Sequence, residues 1–231
     1  MARLPRMVLP GIAHHVTQRG NRRERTFFDD GDYALYLDLL ADAAPRAGVE
    51  IWSYCLMPNH VHIVAVPAHA DGLRQCFRHV HRHYTGYVNA RQRWTGHLWQ
   101  GRFSSVAMDE PHLVTALRYV ALNPVRARLV ARAQEWPWSS TRAHLTGADD
   151  RVVRVAPALE RVGDFAAFLG EPFDDALGYA ALRKAESVGR PVGSREWLAD
   201  MEAGTGLRLT PGKRGPKPKA GGIEGLLHVS L

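Results

Sequence analysis

Two apolar segments separated by two residues constrain this chain more than any other feature. Glu50–Met57 (EIWSYCLM) and His60–Val66 (HVHIVAV) are rich in aromatic and β-branched residues, and Pro58-Asn59 between them supplies a turn. A strand–turn–strand unit is predicted there. Upstream, Ala13–Gln18 (AHHVTQ) is a short strand candidate closed by the basic, turn-prone RGNRRER. Asp29 or Asp30 then caps a helix through YALYLDLLADAA that ends near Arg46-Ala47-Gly48. Leu73–Arg93 has the spacing of a long amphipathic helix, Arg102–Met108 (RFSSVAM) that of a strand, and Glu110–Leu122 that of a helix stopped by Asn123-Pro124. The order β-α-β-β-α-β-α predicts an α+β fold: a ferredoxin-like βαββαβ antiparallel sheet with one additional helix.

The organisation changes beyond about residue 150. A Trp-Pro-Trp-Ser-Ser segment at 136–140 is expected to pack back on the sheet unit. Helix candidates follow at 157–170, 174–187 and 194–203, and the tail TPGKRGPKPKAGG has the Pro, Gly and Lys content of a disordered terminus. Three parts are therefore expected: residues 1–148, a helical extension over 149–208, and a basic tail over 209–231. No apolar run approaches the roughly 18–20 residues that a bilayer span needs. The apolar stretch near the N-terminus is short and broken by Pro10-Gly11, unlike a signal peptide. With two cysteines, Cys55 and Cys76, there is neither a disulfide framework nor a thiolate cluster, and a cytoplasmic protein is the expectation.

The formal net charge of +7 points to a polyanionic partner. Its distribution says more. Between Leu73 and Val106 stand six arginines (74, 78, 82, 91, 93, 102) with no lysine and no acidic residue. A solvated helix face usually mixes signs, whereas arginine suits planar, bidentate phosphate contact. Nucleic acid is the better expectation.

The tripeptide His-Val-His occurs twice, at 60–62 and at 79–81. On a strand, residues i and i+2 share a face, so His60 and His62 can aim at one ion. On a helix, i and i+2 lie about 200° apart, so His79 and His81 diverge. His79 and His83 sit one turn apart, but the flanking arginines would repel a cation. The second copy is thus read as a DNA-facing or solvated surface. The first is the candidate site, against the plainer reading of two half-buried histidines satisfied by neighbours.

Two ligands are few for a catalytic metal, so a third group is needed. The helix EPHLVTALRYVALN carries Tyr119 and Asn123 one turn apart on one face. An asparagine carbonyl suits a hard divalent ion. A tyrosine beside it would hold a phenol near the same ion, an arrangement suited to nucleophilic attack on a phosphodiester. Spacing alone equally allows Tyr119 to be a core residue. Tyr84 and Tyr87 are rival nucleophiles with no third ligand nearby. Trp94 and Tyr84 could stack on bases beside the arginines, while Trp99, between Leu98 and Phe103, is better explained as core.

The set P-N-H-V-H-I, W-Q-G-R-F, R-Y-V-A-L-N-P-V-R-A and W-P-W-S-S, in that order, resembles the single-tyrosine HUH transposases, and among them the REP-associated tyrosine transposases. The resemblance spans about residues 8–145. It implies that His60 and His62 bind Mg²⁺ or Mn²⁺ with Asn123 as third ligand, and that Tyr119 is the catalytic tyrosine. The segment Gln18–Arg25 matches a basic loop associated with hairpin recognition, so Arg19, Asn21, Arg22, Arg23 and Arg25 are expected to contact DNA. Arg74, Arg78, Arg82, Gln100 and Arg102 join them as DNA-binding candidates. The implied activity is cleavage and rejoining of single-stranded or hairpin DNA through a 5′-phosphotyrosine, at palindromic repeats, by a monomer or homodimer associated with the nucleoid when on DNA. Arg118, Arg126 or Arg128 is expected to favour the phenolate.

Two other classes compete. A domesticated protein that binds repeat hairpins without cutting fits the basic charge equally well, but has no physical reason to keep His60, His62 and Tyr119 together. A zinc hydrolase built on the histidine pair is weaker, because the chain has no HExxH and no general-base carboxylate evident beside the pair.

Overall fold

The computed structural model describes residues 7–173 and 179–209. Four strands, β1 (His14–Arg19), β2 (Val49–Met57), β3 (His60–Pro67) and β4 (Ser104–Ala107), form one antiparallel sheet in the order β2-β3-β1-β4. The expected βαββαβ architecture is therefore present. Helices α1 (Asp30–Arg46) and α2 (Gly72–Gln92) make the two crossovers, and α3 (Glu110–Arg126) follows β4.

Strand alternation divides the molecule into two layers. Val61, Ile63 and Ala65 of β3 pack with Tyr36, Leu40, Phe77 and Val80 of α1 and α2. Val64 of the same strand packs with Leu113, Leu117, Tyr119 and Val120 of α3. A bulge between Ile51 and Ser53 inverts the alternation of β2, leaving Tyr54 and Leu56 on the α1/α2 side and Cys55 and Met57 on the α3 side. His60 and His62 follow Val64 in alternation, so they face the α3 layer.

Capping follows the sequence. The Asp29 carboxylate accepts from the Asp32 amide to start α1, and Asp109 accepts from the His112 amide to start α3. The helix expected to stop at Asn123-Pro124 instead runs to Arg126. Pro124 lies in the last turn, where its missing N–H forfeits a single bond. The following residues tighten that turn, Ala127 donating to the Asn123 carbonyl and Leu129 to the Pro124 carbonyl, both at 2.9 Å.

The Trp-Pro-Trp-Ser-Ser segment does pack back on the sheet: Leu56 N–H donates to the Trp138 carbonyl, Ser140 N–H to that of Tyr54, and Trp136 Nε1 to that of Leu56. This backbone and that of Arg154 cover the β2 edge, while Val192 pairs with Ala107 and Asp109 at the β4 edge. Both sheet edges are thus protected. Helix α4 (Thr141–Thr146) follows that segment, then α5 (Ala156–Val162), α6 (Phe165–Gly170), α7 (Ala180–Val188) and α8 (Arg195–Thr205). The first helix candidate of the extension is split by Gly163-Asp164, the Asp164 carboxylate capping α6. Phe165, Phe168, Tyr179 and Leu182 join the α3-side core. The basic tail and the start of the 174–187 candidate lie outside the described residues. Among the described residues, no helix is long and apolar enough to cross a membrane.

Candidate metal and nucleotide-binding cleft

The β1–β3 register sets His62 opposite Thr17 and His60 opposite Arg19, with His15 diagonal to His62. Directly opposed residues share a face, so His15, Thr17, Arg19, His60 and His62 all point to the α3 side. The rings of His60 and His62 are 4.8 Å apart between centroids. Tyr119 arrives from α3 with its ring edge-on to His62 at 5.2 Å and to His15 at 5.9 Å. The expected pairing of a β-strand histidine pair with a distant helix tyrosine is therefore a spatial cluster.

Two polar contacts define the imidazoles. Asn59 Nδ2 donates to the Arg23 carbonyl at 2.8 Å, leaving its Oδ1 2.6 Å from His60 Nδ1. His62 Nδ1 lies 2.9 Å from His15 Nε2, and His15 Nδ1 lies 3.1 Å from Glu186 Oε1 on α7. His62 is 2% exposed, and its Nε2 is buried without a hydrogen-bond partner. Burial, with Arg19 beside it, holds the His60 pKa down to about 4. Burial, then the charges of His60, His15, Arg19 and Arg126, push His62 well below its ordinary value. Neutral imidazoles with available lone pairs are what metal ligation requires.

Among the described residues, His15, His62 and Glu186 are the cluster of histidines and acids with atoms close enough to hold a metal, all within 4.8 Å of one another. Sequence reasoning missed two of its members. His15 was visible only as half of a His-His pair on β1. Its neighbour His14 points the other way and is satisfied by Leu9 N–H and the Ile12 carbonyl. Asn123 is buried on α3 one turn beyond Tyr119, with its Nδ2 unpartnered.

Tyr119 is 8% exposed. Burial, then the Glu186 carboxylate, raises its pKa, while Arg126 and Arg183 pull it down. Of the three arginines expected to favour the phenolate, Arg126 is the one at hand, its guanidinium 5.0 Å above the Tyr119 ring and 4.7 Å from that of Tyr179. Arg118 instead binds Glu171 at 2.9 Å and stacks on Phe168, anchoring the extension. Arg128 adopts a left-handed conformation past the helix end.

The histidine pair opens into a cleft of about 680 Å³ lined by Thr17, Gln18, Arg19, Arg23, Gln100, Gly101, Arg102, Ser104, Arg183 and Glu186. Four of the DNA-contact candidates, Arg19, Arg23, Gln100 and Arg102, meet here. The basic loop carrying Asn21, Arg22 and Arg25 is pinned above them. Gly20 N–H donates to the Asn59 carbonyl and Asn21 N–H to that of Leu98, while Gln100 N–H donates to that of Arg19. A Cβ on Gly20 would collide with the Glu24 carbonyl oxygen. Arg22 and Arg23 both take positive φ and both are exposed. A second cavity of about 630 Å³ lies away from the imidazoles, with a mixed-sign lining that includes Glu50, Asp149, Asp150, Arg151 and Arg154.

Arg74, Arg78 and Arg82 do not join this cleft. They form an exposed stripe on α2, the layer on the other side of the sheet, beside His79 and His83. Arg74 is paired with Asp71, and Arg91 with Asp29 and Asp32. Tyr84 is fully buried and donates to the Thr26 carbonyl, so it offers no stacking face. Trp99 is core, as its neighbours suggested, whereas Trp94 is 48% exposed. His81, expected on a solvated or DNA-facing surface, is instead packed inward on Tyr36, Phe77 and Trp99.

A solved REP-associated tyrosine transposase bound to a REP hairpin has a similar fold, with a TM-score of 0.55 at 20% identity over 67% of this chain and 92% of that one. A crystal structure from Deinococcus radiodurans r1 aligns at 20% identity over 52% of this chain and 95% of that one, with a TM-score of 0.37. No curated protein matches. Residues 9–123 match the family described as transposase, IS200-like. Through that segment, which holds the sheet, the histidine pair and Tyr119, the chain belongs to the IS200-like transposase family.

Proposed function

We propose that this protein is a metal-dependent DNA strand-cleaving and strand-joining enzyme acting on single-stranded or hairpin DNA. The observation that carries the reading is the edge-on approach of Tyr119 to His62, 5.2 Å between ring centroids, by residues that only the fold brings together. His60 and His62 would hold Mg²⁺ or Mn²⁺ with Asn123 as third ligand, and the unpartnered, buried Nε2 of His62 fits that role. The ion, when bound, would neutralise charge on the scissile phosphate.

The chain's own residues do the rest. Arg126 opposes the effect of burial on the Tyr119 phenol. Tyr119 Oη loses its proton to solvent and attacks phosphorus in line. The P–O3′ bond breaks, leaving a 5′-phosphotyrosine and a 3′ oxygen that takes up a proton. Rejoining is the reverse: a 3′-OH attacks the phosphotyrosine and the phenol leaves. The linkage conserves the bond energy, so no nucleotide cofactor is required. Arg19, Arg23, Gln100 and Arg102 line the path of the DNA backbone, with Asn21, Arg22 and Arg25 above it. Palindromic repeat hairpins are the proposed substrate, in line with the REP hairpin bound by the solved relative. Residues 1–148 are the catalytic unit in this reading, 149–208 a helical extension whose Phe165, Phe168, Tyr179 and Leu182 pack on the α3 side, and 209–231 a basic tail.

Two observations favour a second reading, a hairpin binder that does not cut: Tyr119 is 8% exposed and Tyr179 lies edge-on against it at 4.7 Å, which limits the approach of a phosphodiester. Incubating the full chain with a hairpin oligonucleotide and Mn²⁺ separates the two. A covalent protein–DNA adduct that disappears in Tyr119→Phe is the expected result. Tight binding with no adduct establishes the binder.

A further inference from the structure

We infer that Glu186, His15 and His62 form a relay of fixed polarity, an ion-pair contact followed by a hydrogen bond, which presents the bare Nε2 of His62 to the cation and makes helix α7 of the C-terminal extension part of the metal centre. The inference rests on the reading of His60 and His62 as the metal pair. It adds two positioning residues that the sequence did not suggest.

The polarity follows from donor and acceptor inventory. Glu186 Oε1 lies 3.1 Å from His15 Nδ1, an ion-pair contact that is not aligned as a hydrogen bond, and a carboxylate oxygen at that distance favours the proton on that nitrogen. A neutral imidazole has one donor and one acceptor, so His15 Nε2 accepts. The facing His62 Nδ1, 2.9 Å away, must then be the donor. That leaves His62 Nε2 as a lone pair, and this is the buried nitrogen without a partner. The opposite polarity would set two lone pairs against each other at Glu186 and bury an N–H at His62 Nε2 with nothing to accept it, which is costly.

His60 reaches the same state by another route. Asn59 Nδ2 is committed to the Arg23 carbonyl, so the oxygen facing His60 Nδ1 can only accept, and His60 Nε2 is also bare. Each metal-facing imidazole therefore has its tautomer set from behind, the usual arrangement around ligating histidines. For His60 the anchor is a neutral amide in the β2–β3 turn. For His62 it is a carboxylate borne by a helix far along the chain.

The relay competes with direct chelation of a cation by His15, His62 and Glu186, whose donor atoms are also mutually close. Direct chelation through the facing nitrogens would leave His60, with its anchored tautomer, outside the site. The relay uses all four groups.

Long-range ¹H–¹⁵N correlation on the metal-free full chain, labelled at histidine, reads the tautomers. His62 is expected as the Nδ1–H form, and Glu186→Ala should convert it to a mixture while weakening Mn²⁺ binding, followed by electron paramagnetic resonance, about 10- to 100-fold. Glu186→Gln, whose amide oxygen can still accept, should recover most of the affinity. If Glu186→Ala does not fold, His15→Gln serves instead, because its amide oxygen can accept from His62 Nδ1 and should keep Mn²⁺ affinity near native. An unchanged His62 tautomer with Mn²⁺ affinity within about twofold of native in Glu186→Ala overturns the relay, as does a Mn²⁺ spin-echo signal from the His15 nitrogen. Absence of a DNA adduct with tautomers and Mn²⁺ binding as expected removes the nuclease reading and leaves the relay standing.

Discussion

The two His-Val-His copies share three residues and nothing of their chemistry. In the first, a strand period of two puts both rings on one face, 4.8 Å apart, over a cleft lined with arginine. In the second, the helix period sends His79 toward the surface beside His83 and Asp42, and turns His81 inward, its Nε2 3.0 Å from the Tyr36 hydroxyl. Backbone periodicity decides whether a pair of imidazoles is a site.

The sharpest test of that contrast removes each copy in turn. His60→Ala with His62→Ala should lower adduct formation on the order of 10³-fold, since metal stabilisation of a phosphoryl transition state amounts to several kcal/mol. The same pair of changes at His79 and His81 should leave the adduct yield per folded molecule unaltered. Comparable losses from both pairs, measured on gels with matched folded fractions, would dissolve the distinction.

Acid titration separates the copies a second way. Burial holds both His14 and His60 at about 4. As pH falls below roughly 6.5, the unfolded chain takes up protons that the folded chain refuses until about 4. Stability contributed by these groups is thus intact above the unfolded value and is lost across that window, with a slope of about 1.4 kcal/mol per pH unit for each group. Urea midpoints from pH 7 to 4 should show that decline. Replacing His79, whose pKa is lowered by partial burial and by neighbouring His83 and Arg46, should change it far less, because solvent screens a group so near the surface.

His81→Ala should act on folding alone. It removes the partner of a fully buried tyrosine hydroxyl, which costs roughly 2 kcal/mol. A lower urea midpoint with unchanged Mn²⁺ affinity is the expected result, and any fall in that affinity would tie the second copy to the cleft.

How much of this was legible depended on distance along the chain. The hairpin, the shared face of His60 and His62, and the Tyr119–Asn123 spacing follow from turn chemistry and local periods. His15 required the β1–β3 register, set by pairing between strands far apart in sequence. Glu186 required the docking of α7, whose Leu182 and the Tyr179 just before it join the α3-side core without any local signature. The arginines divide for the same reason: close in sequence, they part between the cleft, which takes Arg102, and α2, which carries Arg74, Arg78 and Arg82 on the other layer. Pro124 looked like a stop because its effect on Asn123 is local, whereas burial of the ring and the tightened last turn outweigh one missing hydrogen bond.

That separation of the two basic surfaces gives the smallest effect and the most specific question: whether one DNA strand reaches both. Arg74 is held by Asp71, so the stripe is best probed through Arg78→Ala with Arg82→Ala. For a single strand, every phosphate that a side chain no longer neutralises reduces the slope of log affinity against log salt by about 0.7. If single-stranded DNA flanking the hairpin wraps from the cleft around to α2, the double variant should flatten the slope by about 1.4 while leaving the adduct yield at saturating DNA intact. Arg19→Ala should change both slope and yield, because Arg19 lies opposite His60 on β1. We expect the wrapped outcome, since a stripe free of lysine and acid over this length of α2 has the composition of a phosphate track. A slope identical to that of the native chain would return the stripe to solvent and confine recognition to the cleft.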